Sequence, residues 1–436
     1  MLESVRNVWK IPDLRKKILF TLLMIAVYRL GGHIPVPGVN TQVLKMYFEQ
    51  MRGTLLGLYD IFVGGNLARA TIFALGIMPY ISASIILQIL GATIPYYQRL
   101  IKEGEEGRRK INQHTRYLTV AIAFIQSLGI SVFLESIKVG DIPVVPNPGF
   151  FFRFCTIITM TAGTIFIMWI GELITEKGIG NGISLLIMAG ILGRFPNQML
   201  SFWRMLKSGA KSWTFALAFG VFAVLVTAAV VIITQAQRRI PVQYAKRIVG
   251  RRVYGGQSTH LPLNFNAAGI IPIIFAQSAL MFVPSFAQLF QRYPWAQGIV
   301  DLFTPGGWFY NTLYVLLIIL FAYVYTSIVI NPQELADNMK KYGGFIPGIR
   351  PGKPTADYID KVMTRLTLPG AIFFAMIAIL PTILITKYHL PFYFGGTSLL
   401  IVVGVMLDTV QQIEAQLLMR HYEGFMRKGR IRGRRR

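Results

Sequence analysis

Cysteine occurs once in 436 residues, at position 155, so the chain can form no intrachain disulfide. A lone thiol inside an apolar run reads as an inert buried group. Charge is scarce as well: 14% of residues are Asp, Glu, Lys or Arg, and the acidic ones number 19 against 44 basic. The chain has no Gly-x-x-x-x-Gly-Lys-Ser/Thr phosphate loop, no His-Glu-x-x-His, no Gly-x-Ser-x-Gly and no Cys/His cluster. These absences leave enzyme readings unsupported and call for neither a metal nor another cofactor.

What is abundant is apolar surface. Hydrophobic residues make up 53% of the chain and the mean hydropathy is +0.51, which leaves too little polar surface for a soluble protein of this length. Ten runs recur: Ile18 to Ile34, Thr71 to Ile94, Tyr117 to Ile137, Phe150 to Ile174, Ile183 to Phe195, Trp213 to Ile233, Ala267 to Phe290, Trp308 to Ile330, Leu368 to Ile385 and Leu399 to Leu418. At about 1.5 Å per residue most are long enough to cross a hydrocarbon core of roughly 30 Å. They far exceed a barrel strand, and lipid demands internally satisfied backbone, so they are expected to be helices. The fold class is therefore an all-α polytopic membrane protein with ten transmembrane helices.

Basic residues choose the orientation. With ten crossings and both termini cytoplasmic, inside segments hold about 32 of the 44 Lys and Arg. The short run Ile183 to Phe195 could instead be re-entrant, but that would put both the Arg238 to Arg252 cluster and the Arg-rich tail (420–436) on the side opposite the basic amino terminus. One gap breaks the rule: the outer segment from Arg194 to Lys211 also holds Arg204 and Lys207. The first run lacks a small-residue cleavage site and reads as a retained helix. A formal charge of +25 requires no DNA, because anionic lipids of the inner leaflet favour such loops.

Most run interiors are free of charge. Arg29 and Glu172 lie near helix ends, and Asp408 is the one acidic group well inside a run, where an interhelical hydrogen bond is a sufficient role. That disfavours the main alternative, a secondary transporter or lipid flippase, which would keep charged groups at the midplane. A membrane scaffold without a conduit is a third reading, separable by conductance.

Several neutral features stand out. Ile77 and Ile81, like Ile183 and Ile187, are four residues apart and stack on one helix face; taken alone, such pairs face lipid or pack. Pro79 and Pro272 are expected to interrupt the second and seventh helices. Between the first two runs, Leu55, Leu58, Tyr59 and Phe62 form one face of a short helix ending at Gly64-Gly65. It is either an interfacial helix or a segment folded back into the bundle. Alternation at Ile240, Val242 and Tyr244, amid Arg238, Arg239, Lys246, Arg251 and Arg252, predicts a projecting basic hairpin. Pro347, Gly348, Pro351 and Gly352 predict a turn presenting Arg350.

The stretches 35–38 (PVPG), 73–84 (FALGIMPYISAS), 178–184 (GIGNGIS), 251–254 (RRVY), 257–263 (QSTHLPL), 348–352 (GIRPG) and 392–398 (FYFGGTS) closely resemble the SecY/Sec61 alpha family of protein-translocation channels, over nearly the whole chain. The resemblance implies two pseudo-symmetric, inverted-repeat halves of five helices, residues 1–212 and 213–436, enclosing a central pore with a lateral gate. It places Ile77, Ile81, Ile183, Ile187, Ile274 and Ile401 at the pore ring. Residues 53–66 match the plug, with Leu55, Leu58, Tyr59, Ile61, Phe62, Gly64 and Gly65. Ser82, Gln126 and Asn266 fall at the gate. Cytoplasmic loops 237–265 and 331–366, through Arg238, Arg239, Lys246, Arg251, Arg252, Lys340 and Arg350, would dock the SecA motor ATPase or the ribosome. The resemblance further implies SecE and SecG as partner subunits, signal peptides and unfolded preproteins as substrates, and the bacterial plasma membrane as location.

Overall fold

The first apolar segment becomes a helix, α1 (Pro12–Gly31), with proline in its first turn, where a missing N–H costs nothing. In the computed structural model of the chain, residues 11–51, 55–209, 212–244, 247–249, 252–254, 258–265, 269–287, 294–304, 306–388 and 397–428 are described. After α1 come α2 (Thr41–Gln50), α3 (Leu55–Phe62), α4 (Met78–Thr93), α5 (Pro95–Lys102) and α6 (Glu105–Ser136). A two-residue hairpin, β1 (Lys138–Val139) and β2 (Ile142–Pro143), leads to α7 (Phe150–Lys177), α8 (Gly182–Leu192), α9 (Phe195–Lys207) and α10 (Trp213–Gln235). Next lie β3 (Gln237–Tyr244), β4 (Arg247–Val249), β5 (Arg252–Tyr254) and β6 (Ser258–Asn264). The remainder is α11 (Ile271–Ala287), α12 (Pro294–Leu302), α13 (Trp308–Val329), α14 (Pro332–Lys341), β7 (Gly344–Phe345), α15 (Lys353–Tyr388) and α16 (Thr397–Lys428).

Side-chain caps start several of these helices. Asn40 accepts from the N–H groups of Gln42 and Val43, Asn181 from Ser184, Ser212 from Phe215, and Asn331 from Gln333 and Glu334. Each supplies an acceptor to a first-turn donor that has none within its helix.

Among the described residues, seven helical stretches are long and apolar enough to cross a membrane, adjacent helices such as α8 and α9 (Gly182–Lys207) being taken together. An eighth is counted if α4 and α5, sharply bent at their junction, form one broken span. By the same measure α1 falls short because Asp13, Arg15, Lys16, Lys17 and Arg29 lie within its 20 residues, and α11 because it has only 17. The apolar run Thr71 to Ile94 yields a helix only from Met78. Its start and the residue before it pair with the chain after α1: Ile72 N–H donates to Ile34 at 3.0 Å and Val36 N–H to Ala70 at 2.8 Å. Gly76, at φ +57°, then turns the backbone out of the right-handed region.

The expected proline interruptions are corrected. Pro79 lies in the first turn of α4 and Pro272 is the second residue of α11, so both begin helices where no hydrogen bond is lost. The proline inside α11 is Pro284.

The chain divides into two compact units. The first holds residues 1–199, 281–300 and 405–436. In it α1 packs on α7 and α8, and α6 on α4 and α7. Phe73, almost fully buried, stacks between Tyr28 at 5.9 Å and Phe166 at 6.1 Å. The loop before α8 is tied on both sides: Thr21 accepts from Ile179 N–H at 3.1 Å and Gln412 from Gly180 N–H at 3.0 Å.

The second unit holds residues 200–280 and 301–404. Here α13 and α14 pack on α15. The expected alternation of β3 appears, with Ile240 and Val242 buried between exposed neighbours. This strand is the centre of a three-stranded antiparallel sheet in the order β6, β3, β7. Ile240, Leu263, Ile346, Ile359, Val362, Met363 and Leu366 form the core between that sheet and α15.

Candidate functional site

The segment from Leu55 to Gly65 is folded into the first unit. Tyr59, Asp60, Ile61, Phe62, Val63, Gly64 and Gly65 are all buried, which removes the interfacial alternative for this part of the chain. Its polar atoms are individually matched. The Tyr59 hydroxyl donates to the Leu75 carbonyl at 3.3 Å, and the Asn66 amide donates to the Val63 carbonyl at 2.8 Å. Asp60 accepts the Ala68 N–H at 2.8 Å and pairs with Arg194 at 2.7 Å. Burying these groups without such partners would be costly.

Helix α3 packs on α8, and the turn that follows α3 meets α8 through glycine. Gly64, at φ +79°, lies against the backbone of Gly190. Along α8 and just beyond it, Ile183, Ile187, Gly190 and Arg194 follow at four, three and four residues, the repeat of a single helix face. Ile187 is buried. Ile183 is partly exposed and packs toward Gly171 of α7.

The other expected isoleucines fall as follows. Ile77 is the residue preceding α4 and accepts the Ile81 N–H at 3.1 Å, so this pair is one helical turn apart at the start of the helix, and both are buried. Ile274 and Ile401 are buried in the second unit. Ser82 is buried on α4. The Gln126 side chain on α6 carries a buried Oε1 that has no hydrogen-bond partner among the described residues, and with Leu56, Tyr59, Leu75, Met281 and Pro284 it lines a cavity in the first unit. Asn266, Lys246 and Arg251 lie outside the described residues, as do residues 429–436 of the tail.

Arg238 and Arg239 are exposed on β3, and Arg252 belongs to β5. Lys340 is exposed in the last turn of α14. Arg350 is exposed between Gly348 at φ +82° and Gly352 at φ +102°, and its carbonyl accepts from the Thr355 hydroxyl at 2.8 Å. The turn is thus pinned to the start of α15 while the Arg350 side chain stays exposed.

Charges that sequence placed near helix ends find local roles. Glu172 pairs with Arg116 at 2.8 Å, joining α7 to α6, and Arg29 lies against Gly193 at the carboxyl end of α8, where a cation is favourable. Sequence reading missed the Asp60–Arg194 pair and the Gly64–Gly190 approach. The signal available was the shared spacing of Ile183, Ile187, Gly190 and Arg194.

A family model described as SecY matches residues 71–410. The protein translocase subunit SecY of Aquifex aeolicus is 48% identical over 430 residues, covering 98% of this chain and 100% of the relative. The subunit of the same name from Escherichia coli is 46% identical, covering 97% and 96%. Among solved structures, one described as a protein conducting channel aligns with a TM-score of 0.65 at 19% identity, covering 92% of both chains. Sec61 in a canine ribosome-channel complex aligns at 0.61 with 18% identity over 92% of each. These two likenesses speak to fold.

Proposed function

The chain belongs to the SecY family, and we propose from that premise that it is the channel subunit that passes unfolded secretory polypeptides across the plasma membrane and releases apolar segments sideways into lipid. It is a translocation channel and not an enzyme. In this reading the ten runs are ten crossings in two halves, 1–212 and 213–436, with both ends cytoplasmic. Ile77, Ile81, Ile183, Ile187, Ile274 and Ile401 form an apolar gasket that offers an ion no replacement for its hydration yet closes around a peptide of any sequence.

The observation that carries the proposal is the seat of α3: a short apolar helix, buried from Tyr59 to Phe62 and tied by its own polar atoms, rests on the helix that bears Ile183 and Ile187. A stopper so placed would block the conduit at rest. Ser82, Gln126 and Asn266 would line the lateral gate. A signal peptide with roughly ten apolar residues, at up to about 0.6 kcal/mol each, gains several kcal/mol on reaching lipid, enough to bias a two-state gate. Arg238, Arg239, Lys246, Arg251, Arg252, Lys340 and Arg350 would dock SecA or the ribosome. SecE and SecG would complete the membrane complex, and anionic lipids would neutralise the basic inner face.

The test is reconstitution of the complex in vesicles with SecA, ATP and a secretory precursor. Protease-protected precursor is expected only when all are present. Uptake of a small solute without precursor protection would favour the transporter or flippase reading instead.

A further inference from the structure

The helix α3 is apolar except for one charge, Asp60, and that carboxylate is almost entirely withdrawn from solvent, with 3% of its side chain exposed. A lone buried carboxylate is strongly disfavoured, so its surroundings must hold it. Three features do. The Ala68 N–H donates to Oδ1 at 2.8 Å. Oδ2 pairs with Nη2 of Arg194 at 2.7 Å. The Asp60 carbonyl accepts the Gly65 N–H at 2.7 Å, which closes the chain from 60 to 65 into a turn, and the Arg194 side chain lies along Gly65. Arg194 therefore spans both ends of that turn. It also explains one of the basic residues that depart from the inside-positive pattern.

We infer that Asp60 and Arg194 are a positioning pair that fixes the resting seat of the short helix on α8. This rests on reading residues 55–65 as the stopper of the channel. Within the seat each charge finds the other; away from it both would be hydrated. The pair is therefore satisfied in one docked register, which is how a buried ion pair selects a single arrangement. The two members are unequal. Arg194 keeps 30% of its side chain exposed and can turn to solvent, whereas Asp60 cannot.

That inequality gives a test that simple packing would not pass. In the assembled complex in planar bilayers, Arg194→Gln strands the buried carboxylate and is expected to raise resting conductance roughly tenfold. Asp60→Asn keeps the shape and an acceptor for Ala68, and alone is expected to change conductance less than about threefold. The double variant Asp60→Asn/Arg194→Gln should fall back to the level of Asp60→Asn alone, because the stranded charge is gone and only the loss of the paired register remains. If Arg194→Gln hinders assembly, the same rescue is read as recovered complex. A double variant as defective as Arg194→Gln, or a silent Arg194→Gln, overturns the pairing. Deletion of residues 57–65 separates the two readings. Increased conductance on deletion with silent point variants rejects the pair and keeps the stopper, and unchanged conductance on deletion rejects both.

Discussion

Gly64 and Gly190 meet backbone against backbone: a Cβ built on Gly64 would fall 2.8 Å from the Gly190 Cα, and Gly64 is held at φ +79°. The reverse geometry is looser, since a Cβ on Gly190 would lie 3.4 Å from both the Gly64 Cα and the Tyr28 hydroxyl. Gly64→Ala therefore combines a clash with backbone strain of about 1–3 kcal/mol, and Gly190→Ala needs only a small adjustment. We expect Gly64→Ala to raise resting conductance in planar bilayers well above Gly190→Ala. Equal conductances would disprove close seating of this turn on α8.

The isoleucines give a second prediction. Replacing Ile81 and Ile187 together by glycine removes two buried branched side chains, each change costing about 2–5 kcal/mol or more in a packed site. Resting ion leak is expected to increase while protein-free vesicles stay tight. A leak no larger than wild type would remove the gasket.

Arg350 sits on a turn fastened by Thr355 and flanked by two left-handed glycines, so its charge can be changed with little effect on the backbone. Arg350→Glu should weaken SecA affinity and ATP-driven precursor protection, and leave thermal unfolding near wild type, as expected for an exposed site. Unchanged SecA affinity and protection would reject its docking role.

Ile359, fully buried beneath the sheet, predicts a different response. Ile359→Ala should lower the stability of the second unit by about 2–5 kcal/mol, read as a reduced thermal midpoint, and should impair docking indirectly. Docking lost without any change in the midpoint would show that this core does not support the basic surface.

At the carboxyl end of α6, Glu135 accepts two hydrogen bonds from Arg153 and one from the Gly149 N–H at 3.0 Å. Its side chain is only 9% exposed, so this pair is more than a solvated surface contact. Glu135→Gln is expected to cost about 1.5–3 kcal/mol, and Lys110→Ala, whose partner Glu103 is 3.9 Å away in solvent, less than about 1 kcal/mol. Denaturation of the two variants side by side checks the order.

Length and composition made the long helices legible, because runs such as Phe150 to Ile174, Trp213 to Ile233 and Trp308 to Ile330 contain little that opposes helix formation. Hydropathy was a poor guide to where α4 begins. Residues 71–77 are as apolar as the helix that follows, but Thr71 N–H is taken by Asn66, Ile72 N–H by Ile34, and Gly76 breaks the handedness. Prolines were misread for a related reason: their effect depends on position in the helix, which composition does not specify. Alternation exposed β3, yet its pairing with two-residue β7 joins positions about a hundred residues apart and leaves no local mark. The Asp60–Arg194 pair was hidden similarly, since neither residue alone distinguishes a stranded charge from a matched one.

The pairing of Gln243 and Tyr244 with Phe345 and Gly344 has a mechanical consequence. The basic arm and the following loop are stitched into one plate, and that plate is bonded to α15 through Ile359 and Val362. A partner that gripped either loop would thus pull on a stiff handle: its stroke would be delivered to the long helix instead of being lost in slack tether.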